Sequence, residues 1–211
     1  MALWRTLGAA ASGYLLGTLP SADVAARLTT RGAVDLRAAG SGNPGAVNAL
    51  RLLGRRAGVA VMAADIGKGV AACLVGRSLA GDAGAHAGGV AAVAGHCYPA
   101  WNGFRGGKGI ATSFGQCLTT FPAYAAVDVA LATGLSRVPG VRRPGLVSVS
   151  ISSAAWVLAG VVWWKRRLPN LWGVRPTALL PLANAATSAV IASKGLAALK
   201  RGQPDELRPT R

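Results

Sequence analysis

Acidic residues are scarce in this chain: 7 Asp and Glu stand against 23 Lys and Arg in 211 residues, a net charge of +16. Charge of any sign is sparse as well, at 14%. With 52% hydrophobic residues and a mean hydropathy of +0.39, that excludes an ordinary soluble domain and predicts a bundle of membrane helices. Aromatic residues are few, at 6%, and no aromatic-rich binding surface accompanies the basic residues. The excess positive charge therefore points to lipid headgroups, cytoplasmic loops or an anionic substrate, and not to nucleic acid. The three cysteines, Cys73, Cys97 and Cys117, lack metal or redox spacing, so they read as small apolar helix residues, and neither metal nor cofactor is expected. No Ser-His-Asp or Cys-His set is evident. The P-loop pattern Gly-x-x-x-x-Gly-Lys-[Ser/Thr] is also missing, because Asn102 stands five before Gly107 and Gly109 follows Lys108.

What is present is organised around Gly103-Phe104-Arg105-Gly106-Gly107-Lys108-Gly109-Ile110-Ala111-Thr112. Glycines let backbone N–H groups turn toward a ligand, and concave sets of such donors bind anions. Lys108 adds a full charge, and Ile110 to Thr112 open a helix whose N-terminus also favours an anion. The expectation is a phosphate cradle, against the alternative of a basic turn at the membrane edge.

The chain carries several apolar runs of near-spanning length. The first covers about Leu3 to Ala26, with Pro20 kinking or ending a helix. Arg5 before it resembles the start of a signal peptide, but an uncleaved first helix suits a multi-pass chain better. Then comes a polar block, Gly40-Ser41-Gly42-Asn43-Pro44-Gly45, running into a short helix with Asn48 and Arg51 on one face. Arginine there can grip a phosphate with two parallel hydrogen bonds.

A second span, about Ala57 to Val75, places Asp65 and Lys68 at helical i, i+3 spacing, as an ion pair or as part of a site. The third, about Ala83 to Ala100, holds His86, read as structural, and His96, beside the glycine loop. Ile110 to Leu135 is one long helix or two short ones, broken at Phe121-Pro122. Further spans run over about Leu146 to Trp164 and Pro176 to Leu199, and residues 200–211 form a short polar tail expected to be mobile. The expected fold is therefore all-α, a polytopic integral membrane helix bundle forming a single domain over residues 1–211.

Together these blocks resemble the acyl-phosphate:glycerol-3-phosphate acyltransferase (PlsY) family of bacterial membranes. The resemblance runs from Gly17 to Gly115. It takes in Gly17-Thr18-Leu19-Pro20, the Gly40 to Ala46 block with Asn48 and Arg51, Asp65 with Lys68-Gly69, Gly95-His96 with Pro99, and Phe104 to Thr112 with Gly115. It implies about seven transmembrane helices, some short or broken, in the plasma membrane. It also implies acyl transfer from acyl phosphate to the sn-1 hydroxyl of glycerol 3-phosphate, giving lysophosphatidic acid and phosphate. Ser41, Arg51 and Lys108 would be the catalytic set. Gly42, Asn43, Asn48, His96, Arg105, Gly106, Gly107, Gly109, Thr112 and Ser150 would bind substrate phosphate.

An acyl phosphate is already activated, so positioning and charge stabilisation can carry the reaction without a protein nucleophile. The His-x-x-x-x-Asp pattern of another acyltransferase class is absent: Trp101 lies five after His96, and Ala91 five after His86. The chain departs from the family at Val47, where Thr is usual, and at Ala192 and Gly195, where His and Asn are usual. Either Ser148 or Ser150 can take the family's serine place. The alternatives are a relative with another acceptor or without turnover, and a small anion transporter. Both polar blocks belong on the cytoplasmic side, which puts Lys165-Arg166-Arg167 outside, against the positive-inside tendency.

Overall fold

The computed structural model describes residues 2–207, and these are helical with no strand among them. The helices are α1 (Ala2–Gly17), α2 (Ser21–Thr30), α3 (Ala46–Leu53), α4 (Arg55–Cys97), α5 (Ile110–Thr120), α6 (Pro122–Ser136), α7 (Pro144–Arg166) and α8 (Leu179–Lys200). The long α4 is a hairpin: Ala80 and Gly81 leave helical geometry, Gly81 at φ +62°. Its limbs, 55–79 and 82–97, run antiparallel. With α1 and α5 to α8 they make seven bundle segments, and α2 and α3 pack on the limb that begins at Arg55. Three stretches, Arg55–Asn102, Pro144–Arg166 and Leu179–Lys200, are long and apolar enough to cross a membrane.

The breaks have local causes. Leu3 to Ala26 is not one helix. Thr18-Leu19-Pro20 separates α1 from α2, since proline cannot donate the next ladder bond. Phe121-Pro122 likewise divides α5 from α6, with Pro122 in the first turn of α6, where its missing N–H costs nothing.

Small residues set how closely the segments approach. A Cβ on Gly13 would lie 2.3 Å from the Gly88 carbonyl oxygen, and one on Gly17 would lie 2.1 Å from that of Ala92. The two limbs of α4 meet the same way, at Gly76 and Gly84. Gly69 and Gly115 let the first limb touch α5. Between membrane helices the attraction is packing and hydrogen bonding, which close backbone approach favours. Buried amides add specific ties: Thr187 donates to Gln116 Oε1 at 2.9 Å, joining α8 to α5, and Asn184 donates to the Trp156 carbonyl at 3.1 Å, joining α8 to α7. Phe121 stacks on Tyr124 and meets Trp163 edge-on, at centroid distances of 5.4 and 5.3 Å.

This threading brings the end of α1, both ends of the α4 hairpin, the start of α5, the start of α7 and the end of α8 to one face. The opposite face carries the Ala80–Gly81 turn and residues 167–178, tied together where the Arg175 N–H donates to Asp82 at 3.0 Å.

Candidate active site

Three basic or hydroxylic groups from distant parts of the chain converge on one residue. Ser41 Oγ donates to Glu206 Oε1 at 2.7 Å. Lys108 Nζ lies 3.1 Å from Glu206 Oε2. The Arg51 guanidinium donates to the Glu206 carbonyl. Ser41 and Glu206 are buried, while Lys108 keeps 29% of its side chain exposed. Glu206 therefore fills, with its own carboxylate, a place built for an anion.

The tail that carries it makes specific contacts. Asp205 accepts from the N–H groups of Gly145 and Leu146 at 3.1 and 3.2 Å, at the start of α7, where a negative charge meets the positive helix end.

The Ser41 block is held by Asn48. Its Oδ1 accepts the Ser41 N–H at 3.1 Å, and its Nδ2 donates to the Leu36 and Ala39 carbonyls at 3.0 and 3.1 Å. Asn48 is wholly buried, and its amide is committed to backbone, so it shapes the block and is not available to a substrate. The Asn43 N–H donates to Ser41 Oγ at 3.4 Å. Gly42, at φ +70°, sits against Gln203 of the tail.

The glycine loop is built differently from the expected cradle. The Gly106 and Gly107 N–H groups donate, each at 3.1 Å, to the carbonyls of Cys97 and His96, so they cap the α4 hairpin and are not offered to a ligand. Side chains are excluded there because a Cβ on Gly106 would lie 1.9 Å from the His96 carbonyl oxygen, and one on Gly107 2.2 Å from His96 Nε2. Gly109, at φ +85°, turns the chain into α5 directly after Lys108. The amides left for an anion are those leading into α5.

The other sequence candidates scatter. His96 is buried in a cluster with Asp65, 3.6 Å from its carboxylate, beside Lys68, 2.8 Å from the same oxygen. Ser21 donates to Asp65, and Lys68 donates to the Leu19 carbonyl at 3.0 Å. The Asp65–Lys68 pair thus pins the α1–α2 link and the base of the hairpin.

Arg105 is exposed, and its carbonyl accepts from Arg37 at 2.8 Å. Thr112 is wholly buried between α5 and the first limb. Ser150 faces outward. The buried stripe of α7 carries Ser148 and Ser152, and Ser148 is used by the Ala132 carbonyl at 2.7 Å. Ser150 falls about 200° round the helix from Ser148, on the exposed side of α7. On α8, Ala192 is exposed and Gly195 half-buried; the inward pair is Ile191 and Lys194, which sequence reasoning missed. The i, i+3 spacing of an apolar and a basic residue was the available signal.

Between α2 and the first limb of α4 runs an apolar groove of about 540 Å³, lined by Leu19, Val24, Leu28, Ala60, Val61 and Ala64 among others. It adjoins a small polar pocket holding Arg37, His96, Gly106 and Gly107, and the two share Leu19, Pro20, Ser21 and Lys68. An apolar groove adjoining a pocket that carries Arg37 and Lys68 suits an amphiphile with an anionic head.

The family model described as glycerol-3-phosphate acyltransferase matches residues 7–198. The chain belongs to the glycerol-3-phosphate acyltransferase family. It is 40% identical over 151 residues to the glycerol-3-phosphate acyltransferase of Thermoanaerobacter pseudethanolicus, covering 72% of this chain and 74% of that one. It is 38% identical over 168 residues to the enzyme of that name from Pseudomonas aeruginosa, covering 73% and 88%. The fold matches the crystal structure of PlsY (YgiH), an integral membrane glycerol 3-phosphate acyltransferase, in its glycerol 3-phosphate form. The TM-score there is 0.73 at 28% identity, over 93% of this chain and 90% of that one. The lysophosphatidic acid form matches at 0.71 and 27%, over 94% and 93%. The protein is a membrane acyltransferase of phospholipid synthesis that acylates glycerol 3-phosphate.

Proposed function

We propose that the acyl donor is an acyl phosphate and that the Ser41–Arg51–Lys108 cluster binds its phosphoryl group. The observation that carries this is the convergence of Ser41 Oγ, the Arg51 guanidinium and Lys108 Nζ on the single anionic residue Glu206. A phosphate entering there displaces a carboxylate and gains charge-assisted hydrogen bonds of the same kind. The acyl chain lies in the groove between α2 and α4.

The sn-1 hydroxyl oxygen of glycerol 3-phosphate attacks the acyl carbon. The bond from that carbon to the phosphate oxygen breaks with its electron pair leaving on phosphate, and the phosphate takes up the hydroxyl proton. The products are lysophosphatidic acid and inorganic phosphate. The protein contributes position and positive charge where the leaving phosphate gathers its negative charge, a contribution of roughly 3–4 kcal/mol per well-placed donor in comparable sites. Asn48, Gly106 and Gly107 hold the two loops in register for this.

The site face lies on the cytoplasmic side of a bacterial plasma membrane. Charge supports this: Arg27, Arg31, Arg51, Arg55, Arg105 and Arg142 are among the many basic residues on that face. The opposite face has Arg5, Arg77, Arg175 and the Lys165–Arg167 run.

The test is transfer by the purified protein, given either acyl phosphate or acyl-CoA with glycerol 3-phosphate. Lysophosphatidic acid and equimolar phosphate from acyl phosphate, with none from acyl-CoA, is the expected result. Product from acyl-CoA alone overturns the donor assignment.

A further inference from the structure

The face opposite the site carries a run of aromatic and basic residues that acyl transfer does not use. Trp163-Trp164-Lys165-Arg166-Arg167 closes α7, and residues 167–178 lead on to α8. Both helices are long and apolar enough to cross a membrane, so the link between them sits at headgroup depth. Lys165, Arg166 and Arg167 are exposed, and no carboxylate lies within ion-pair distance of any of them among the described residues. Asp82, the carboxylate at the hairpin turn of this face, is already engaged, by Arg77 at 3.5 Å and by the Arg175 N–H at 3.0 Å.

The three cations are not spent on capping their own helix. Arg167, at φ +52°, ends α7, and the N–H groups of Arg167 and Leu168 donate to the Trp164 and Trp163 carbonyls at 3.3 and 3.1 Å. The loop beyond is fastened. Trp163 Nε1 donates to the Pro169 carbonyl at 3.1 Å, Asn170 Nδ2 to those of Thr120 and Val174 at 2.9 and 2.7 Å, and Trp172 Nε1 to that of Leu118 at 2.9 Å. The end of α7 and the loop are thus tied to the α5–α6 junction, yet Leu171 and Trp172 remain 69% and 67% exposed. Lys165 Nζ lies 4.3 Å from the centroid of the Trp164 ring, which steadies the ammonium beside the helix end.

An apolar track leads to this cluster. Ile151, Leu158 and Val162 are exposed on α7, and with Lys165 they keep i, i+7, i+11, i+14 spacing, which is one stripe of a helix. A fatty chain lying along that stripe carries its headgroup to Lys165 and Arg166. Guanidinium groups match a phosphate with charge-assisted hydrogen bonds, and an indole at the boundary packs against the glycerol and upper chain region. The positive-inside tendency works against such a run on this face in the orientation proposed above, and an anionic lipid supplies the negative charge that offsets it.

We infer that the end of α7 is a binding site for an anionic phospholipid of the phosphatidylglycerol type, its phosphodiester on Lys165, Arg166 and Arg167 and its chains along the Ile151–Val162 stripe. The site is separate from the Ser41–Arg51–Lys108 cluster and holds whichever acyl donor the enzyme uses.

Thermal unfolding of the purified chain in nonionic detergent tests it, by titration with phosphatidylglycerol or with phosphatidylcholine of equal chain length. The parent is expected to bind phosphatidylglycerol about tenfold or more tightly than phosphatidylcholine, with the preference shrinking at high salt. Lys165→Gln, Arg166→Gln and Arg167→Gln combined should bring the two lipids to within about twofold while acylation of glycerol 3-phosphate persists. If that protein does not fold, Arg166→Gln and Arg167→Gln singly should each remove part of the preference. Lys108→Ala should leave it intact. A parent without preference overturns the inference, as does a preference that survives loss of the basic residues. A preference lost in Lys108→Ala puts the lipid at the catalytic centre and overturns it too. If millimolar inorganic phosphate displaces phosphatidylglycerol from the parent, the cluster is a site for free phosphate and the lipid assignment is rejected.

Discussion

Lys108 and Glu206, 98 positions apart in sequence, meet at 3.1 Å, so the lysine of the glycine loop is neutralised by the chain's own tail. Removing the carboxylate leaves Ser41, Arg51 and Lys108 gathered with no anion between them. Glu206→Ala is therefore expected to lower stability by roughly 1–3 kcal/mol, read as a drop in Tm. Millimolar inorganic phosphate should recover part of the drop. No recovery would mean that the cluster does not accept phosphate.

Lys108→Ala removes the cation that precedes Gly109 and leaves the glycine contacts of the loop in place. A fall of about 10²-fold or more in kcat/KM is expected, with the unfolding temperature within a few degrees of the parent. Activity close to the parent's would dismiss Lys108 from the reaction. The double variant Lys108→Ala with Glu206→Ala should lose less stability than the two single losses added, because each single change breaks the same pair.

The buried Asp65–Lys68 pair makes a sharper stability claim. Asp65→Asn strips Lys68 of its counter-ion and should cost about 3–5 kcal/mol. Adding Lys68→Met to it removes the orphaned charge and should return a large share. Thermal unfolding in detergent compares the three; a double variant no better than Asp65→Asn would remove the ion-pair explanation.

Glycine positions discriminate packing from composition. Gly69→Ala drives a methyl to 2.2 Å from the Thr112 carbonyl oxygen, whereas Gly67, two residues earlier, has nothing within 4 Å of the same addition. Gly69→Ala is expected to destabilise by about 1–3 kcal/mol and Gly67→Ala to be tolerated, and comparable losses at both would argue against backbone contact as the cause.

The apolar groove predicts chain-length selection. Ala64→Phe places a ring in the slot between α2 and the first limb. Rates with long-chain acyl phosphates should fall much more than rates with short ones. A uniform fall across chain lengths would place the acyl chain elsewhere.

Much of this architecture was legible because membrane spans and their breaks are written in hydropathy and proline. Phe121-Pro122 marked the α5–α6 break, and Gly17-Thr18-Leu19-Pro20 the end of α1. The three central residues were legible too, since Ser41, Arg51 and Lys108 do converge. What failed was direction. Ser150 faces outward because a two-residue step on a helix turns it away from Ser148, which no motif records. Gly106 and Gly107 make room for His96 and cap its helix, a packing role that their motif does not record. That Glu206 meets Ser41 and Lys108 was not legible, because those contacts cross long sequence distances that no spacing records.

The loop that ends in Lys108 has no slack. Its glycine amides are fastened to the last carbonyls of the α4 hairpin, and two residues beyond Gly107 the chain is already entering α5. Any change in the tilt of one helix against the other is transmitted straight to the lysine. The loop thus ties the position of Lys108 to how the second limb of α4 and α5 lean on each other, a lean set by the close glycine packing of the bundle.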